Sequence, residues 1–227
     1  MKNIVVLTGA GISAESGIKT FRDADGLWEG HDVMEVASPQ GFAQNKELVL
    51  EFYNQRRRQL LEVEPNAAHF ALAELEKDHH VQIITQNVDD LHERAGSSNI
   101  LHLHGELLKA QSTKDSNLIF SWKKDITTTD KCPIGSQLRP FIVWFGENVP
   151  LITKAQELCE QADILVIIGT SMQVYPAAGL VDFVKLNTPI IYIDPKPAPI
   201  HNKSNLTVIS KTAVEAKNDI LNITTLP

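Results

Sequence analysis

The chain has 227 residues, 43% of them hydrophobic and 22% charged. That suffices for one sizeable domain with room for insertions, and it excludes a largely disordered chain. A net charge of −7 argues against an electrostatic grip on nucleic acid, and two cysteines exclude a disulfide framework.

The apolar run after Met1-Lys2 is short and leads into Thr8-Gly9-Ala10-Gly11, without the apolar core and cleavage site of a secretion signal. No stretch approaches the roughly 18 apolar residues of a membrane span. The expectation is a cytoplasmic protein that engages neither a membrane nor nucleic acid. Residues 3–7 are β-branched and precede glycines, which predicts a buried strand entering a tight turn. Residues 30–63 read as helical and amphipathic, with Phe52, Tyr53 and the run Arg56-Arg57-Arg58. A helix is predicted over 67–76 and a strand over 81–85. Residues 107–139 are polar and irregular. A helix over 153–161 precedes a strand over 164–168. Further strands follow at 190–193 and 206–209, and a helix closes the chain at 214–221. Strands alternating with helices predict an α/β fold, a Rossmann-like parallel sheet with helices on both faces. Segments 30–63 and 107–139 are predicted to leave that sheet and form a smaller lobe, all within one domain over 1–227.

Polar sequence follows several strand ends: Gly9-Ala10-Gly11, Gln86-Asn87-Val88-Asp89, Gly169-Thr170-Ser171 and Asp194-Pro195. Parallel sheets bind ligands at their carboxyl ends, so these loops predict one site. The turn after the first strand reads G-x-G-x-x-A over Gly9, Gly11 and Ala14. Small residues there allow a tight turn and a close approach to a pyrophosphate. The acidic residue that a dehydrogenase places about 20 residues further on is not clearly present; Asp23 and Asp25 lie too early. His102 and His104 sit two apart. Spacing alone ranks a structural and an exposed histidine first, a general base second and metal ligands last.

Together these blocks resemble the sirtuin family of NAD-dependent protein deacylases, along nearly the whole chain. The matching segments are Gly9-Ala10-Gly11-Ile12-Ser13, Gly17-Ile18-Lys19-Thr20-Phe21-Arg22, Thr85-Gln86-Asn87-Val88-Asp89-Asp90-Leu91-His92, His104-Gly105, Phe145-Gly146-Glu147 and Gly169-Thr170-Ser171-Met172-Gln173-Val174. The resemblance implies NAD contacts from Gly9, Ala10, Gly11 and Ser13 at the phosphates, and from Phe21 and Arg22 in a closing loop. It implies further contacts from Gln86 at the nicotinamide-side ribose, Asn87 and Asp89 at the nicotinamide, and Gly169, Thr170, Ser171, Asp194 and Ala213 on the adenosine side. His104 is implied as the base, with Asn87 and Asp89 beside it in the catalytic set. Phe145, Gly146 and Val174 are implied to hold an extended protein segment carrying an acylated lysine, added as a strand. In the implied reaction the acyl oxygen attacks the ribose carbon and nicotinamide leaves. A ribose hydroxyl activated by the histidine then takes over the acyl group, releasing lysine and O-acyl-ADP-ribose.

The chain departs from the family pattern in two places. The family's two Cys-x-x-Cys zinc pairs are missing, since the interval between His104-Gly105 and Phe145-Gly146-Glu147 holds Cys132 alone. One thiolate cannot close a structural zinc site, so no metal is expected. Asp194 stands where the family usually has asparagine. Tyr53 and Arg56 resemble the Tyr-x-x-Arg pair of sirtuins that prefer succinyl, malonyl or glutaryl lysine, an arginine fork and a phenol for the acyl carboxylate. Arg57 and Arg58 are expected on a solvated face. An ADP-ribosyltransferase or NAD glycohydrolase, and a non-catalytic NAD-binding module, are the competing readings. Phe145-Gly146-Glu147 with Val174 disfavours the first, and intact Asn87, Asp89 and His104 disfavour the second.

Overall fold

A computed structural model describes residues 1–19, 27–28 (by their backbone), 30–201 and 203–226. The expected roles of Phe21 and Arg22 lie outside these residues. In chain order the elements are β1 (Asn3–Thr8), β2 (Leu27–Trp28), β3 (His31–Asp32), α1 (Val33–Val36), α2 (Pro39–Gln44), α3 (Lys46–Glu62) and α4 (Ala67–Leu75). There follow β4 (His80–Thr85), α5 (Leu91–Ala95), β5 (Ile100–His102), β6 (Gly105–Ser112), β7 (Ile119–Ser121) and β8 (Leu138–Ile142). The chain then forms α6 (Ile152–Glu160), β9 (Ile164–Ile168), β10 (Ile190–Ile193), β11 (Leu206–Ile209) and α7 (Lys217–Leu221).

Six strands form a parallel sheet in the order β11-β10-β9-β1-β4-β5. Its strands are apolar at nearly every position because both faces are covered. Ile4, Val6, Ile83, Val166 and Ile191 pack in one core with residues of α4 and α7. Val5, Leu7, Ile84, Leu165, Ile167 and Tyr192 pack in another with residues of α6 and the turn Ala177–Asp182. From β1 the chain builds outward through β4 and β5, then returns to the other side of β1 for β9, β10 and β11. The strand order therefore reverses between β1 and β9, and a crevice opens there at the carboxyl ends. The closing helix is shorter than predicted. Residues 212–215 form a turn in which Glu215 accepts from the Thr212 amide at 2.9 Å and Thr212 Oγ1 accepts from the Glu215 amide at 3.2 Å.

A third core joins α1, α2 and α3 to the segment 107–144. That segment is more regular than its polarity suggests. β7, β6 and β8 form an antiparallel sheet whose β6–β8 register shifts between Glu106 and Ala110. Phe120 and Trp122 pack against this core, whereas Ile119 is exposed. Cys132 is buried, its Sγ 3.0 Å from Ser136 Oγ and 3.4 Å from Ser112 Oγ. Among the described residues, no group of three or more His, Cys, Asp or Glu side chains is arranged to hold a metal ion, and no helix is long and apolar enough to cross a membrane.

Arg57 corrects the sequence reading. It is fully buried, donating Nε to the Leu107 carbonyl at 3.0 Å and Nη1 to Asn54 Oδ1 at 2.7 Å. Burial lowers its pKa to about 10. It ties α3 to β6, because it falls on the stripe of Leu50, Tyr53 and Leu60, at helical spacings of seven, four and three. Arg58, one residue round the helix, is exposed as expected and pairs with Glu51 and Asp125.

Candidate active site

The crevice is a cleft of about 610 Å³ between the sheet ends and the smaller lobe. Its base is two glycine loops locked backbone to backbone. The Gly11 amide donates to the Gly169 carbonyl at 2.8 Å. A Cβ on Gly11 would lie 2.6 Å from Gly169 Cα, and one on Gly169 would lie 2.4 Å from the Ile12 nitrogen. Gly169 also sits at φ +61°, so only glycine fits there without strain.

Gly9, Ala10, Gly11, Ser13, Gln86, Asn87, Asp89 and His104 all line this cleft. Gly169, Thr170, Ser171, Asp194 and Ala213 line it from the ends of β9, β10 and β11, and Phe145, Gly146, Val174 and Tyr53 complete the predicted set. Arg56 does not line it. Arg56 lines an adjoining cavity of about 60 Å³, which shares Ile18, Lys19, Tyr53, Val88 and Asp89 with the cleft. Its guanidinium stacks 3.4 Å over the Phe52 ring and donates to the Phe52 carbonyl.

The sheet-end wall is one hydrogen-bonded network. Asn87 Nδ2 donates to the Gly9 carbonyl and to Ser13 Oγ, each at 3.1 Å, and Ser13 Oγ donates to Asp89 Oδ2 at 3.0 Å. His69 backs Ser13 at 3.5 Å. The Asn66 amide donates to His69 Nδ1 in a capping box that starts α4, which leaves the proton on Nε2, facing Ser13. Burial lowers the His69 pKa to about 4 and raises that of Asp89 to about 6. Gln86 Nε2 donates to Thr170 Oγ1 at 3.0 Å, bridging the ends of β4 and β9.

The two histidines separate cleanly. His102 faces two acceptors, Glu93 Oε1 at 2.7 Å and the Asn87 carbonyl at 3.2 Å. Burial would lower its pKa, but Glu93 holds it above the usual value, and with an acceptor at each ring nitrogen the ring braces Asn87 against Glu93. His104 has Nδ1 3.0 Å from the Gln86 carbonyl. A carbonyl only accepts, so Nδ1 carries the proton and Nε2 keeps its lone pair. Burial lowers the His104 pKa, against the smaller raising effect of that carbonyl. This is a neutral base on a cleft wall. Sequence reasoning missed His69, His102 as a brace and Trp144, which lines the cleft and donates Nε1 to Tyr53 Oη at 3.0 Å. The capping pattern Asn66-x-x-His69 was a readable sign of the first; the other two roles depend on contacts distant in sequence.

The cleft fits a dinucleotide. Its volume lies in the usual range of roughly 300–1,000 Å³ for small-molecule sites, glycine loops floor its switch point, and amide, hydroxyl and carboxylate groups line the strand ends. Fold and site thus define an α/β nucleotide-binding protein with a second lobe closing over the cleft. Residues 9–176 match the profile described as Sir2 family. Proteins named NAD-dependent protein deacylase are 63% identical in Helicobacter pylori, over 97% of this chain and 96% of the relative, and 54% identical in Bacteroides thetaiotaomicron, over 97% of each. A solved Sir2 homologue in complex with NAD superposes with a TM-score of 0.87 at 42% identity, covering 98% of this chain and 89% of that one. The chain belongs to the Sir2 family.

Proposed function

We propose that this protein is an NAD-dependent protein-lysine deacylase of the cytoplasm, acting on acylated lysines and favouring acyl groups that end in a carboxylate. The observation that carries the deacylase reading is His104, a neutral imidazole whose Nε2 is left as base in the same cleft as the glycine loops, Asn87 and Asp89. Bound NAD supplies an electrophilic ribose carbon and a nicotinamide leaving group. The chain's own residues do the rest. Asn87, held by Gly9 and Ser13, and Asp89, held by Ser13 and the Leu91 amide, present a fixed polar surface for a carboxamide. His104 Nε2 accepts a hydroxyl proton. Phe145, Gly146 and Val174 receive the extended peptide. Tyr53 and Arg56 meet the acyl end, Tyr53 from the cleft and Arg56 from the adjoining cavity.

Incubation with NAD and matched acetyl- and succinyl-lysine peptides tests this, with mass spectrometry of both products. The expected result is one nicotinamide and one O-acyl-ADP-ribose per lysine released. Nicotinamide and free ADP-ribose formed without deacylation would instead mark a glycohydrolase.

A further inference from the structure

We propose that His102 is a positioning residue for NAD: its ring ties the Asn87 carbonyl to the Glu93 carboxylate, holds the 86–90 loop in the cleft wall, and slackens that loop when it carries a single proton. The proposal rests on the NAD-dependent reading above, in which Asn87 and Asp89 face the nicotinamide carboxamide.

The 86–90 loop supplies Gln86, Asn87, Val88 and Asp89 to the cleft. Residues 102–104 meet three consecutive carbonyls at its start. His102 Nδ1 lies 3.2 Å from the Asn87 carbonyl, His104 Nδ1 lies 3.0 Å from that of Gln86, and the Leu103 amide donates to that of Thr85 at 2.9 Å. At its far end the loop enters α5, where Glu93 Oε1 lies 2.7 Å from His102 Nε2. His102 thus grips the loop near its start and, through Glu93, in the helix that follows it.

A carbonyl and a carboxylate only accept, so keeping both bonds needs a proton on each ring nitrogen. With one proton, the ring keeps its bond to the charged acceptor, the stronger of the two, and turns the Nδ1 lone pair on the Asn87 carbonyl. The side chain is 9% exposed, so water does not readily take over that contact. Burial lowers the His102 pKa, but Glu93 and then Glu106 of β6 hold it above the usual value. Lys109, paired with Glu106 at 2.6 Å, and Asp89 and His92 also act on this cluster. Burial keeps His92 neutral, with its pKa well below the usual value. Asp89 changes charge at about pH 6, and burial lowers the pKa of His104, so His102 loses its proton at higher pH than either.

The test measures the KM of NAD and the inhibition constant of ADP-ribose, which lacks the nicotinamide, in wild type, His102→Gln and Glu93→Gln. An acetyl-lysine peptide is the second substrate. In wild type the NAD KM should rise roughly fivefold as pH rises from about 6.5 to 9, the effect of one lost hydrogen bond, while ADP-ribose inhibition changes little. Glutamine at 102 cannot bridge the two acceptors, so His102→Gln should hold the high KM across that range. Glu93→Gln removes the charge that keeps the second proton on His102. The midpoint of the KM rise should therefore fall toward the ordinary imidazole value of about 6.5. Should His102→Gln fold poorly, Glu93→Gln, on an exposed side chain, decides the matter through that midpoint. A flat NAD KM in wild type, a midpoint unmoved in Glu93→Gln, or ADP-ribose inhibition that tracks the NAD KM overturns the proposal while lysine release still supports the deacylase reading. No lysine release at any pH overturns that reading, and this proposal with it.

Discussion

The two walls of the cleft are built differently. The sheet-end wall comes from strand termini and is crosslinked by short polar side chains, Asn87, Ser13 and Asp89, backed by neutral His69. The lobe wall comes from α3 and the segment after β8, and it is organised around full charges, with Arg139 and Glu147 bracing the tryptophan that meets Tyr53. The first wall suits a constant ligand, whose contacts are set once by the fold. The second can be retuned by single side chains without disturbing the sheet, which is where a preference among acyl groups belongs. His104 ends the segment joining β5 to β6 and sits where the two walls meet.

This contrast can be broken at several points. Removing the base should have the largest effect. His104→Ala should cost roughly 10²–10⁴-fold in turnover on every acyl peptide, while circular dichroism and NAD binding stay close to wild type. Near-normal turnover in a folded variant would exclude the role. On the lobe wall the loss should be selective. Arg56→Met should lower kcat/KM for succinyl-lysine by roughly ten- to a few-hundredfold relative to acetyl-lysine. Equal changes on both peptides would leave Arg56 with no acyl role.

Arg57 and Arg58 sharpen the comparison inside α3. Arg57→Ala leaves a cavity and an unsatisfied Leu107 carbonyl, and should lower unfolding free energy by about 2–4 kcal/mol in urea titrations. Arg58→Ala should leave it nearly unchanged, because that side chain is solvated. On the sheet-end wall the effect of Asp89 depends on pH. Its folded pKa of about 6 lies above the ordinary 3.8, mainly through burial. The unfolded chain therefore releases this proton first. The stability Asp89 contributes is complete below about pH 3.8 and is lost as pH rises through about 6. Relative to Asp89→Asn, wild type should lose about 2–3 kcal/mol between pH 4 and pH 7. A constant difference across that range would show that Asp89 titrates normally.

The two walls also differed in how readily they could be read. β1, β4, β9 and β10 stand out because burial on both faces demands unbroken apolar runs, and the polar loops after them mark the crevice. β6 does not stand out. The register shift between Glu106 and Ala110 breaks its two-residue alternation, so a regular sheet reads as irregular polar chain. Arg57 was misread because a run of three arginines suggests solvent, although its offsets from Leu50, Tyr53 and Leu60 place it inside. The tie between Trp144 and Tyr53 joins residues 91 apart in sequence, and no local pattern carries it.

The most direct test of the account is the protonation of His104, read by nitrogen-15 NMR of histidine-labelled protein against a His104→Ala control for assignment. His104 should be a neutral ring protonated at Nδ1, donating to the Gln86 carbonyl, with a pKa below the ordinary imidazole value of about 6.5. A ring protonated at Nε2, or a pKa above that value, would contradict it, because Nε2 would then have no lone pair to accept a proton.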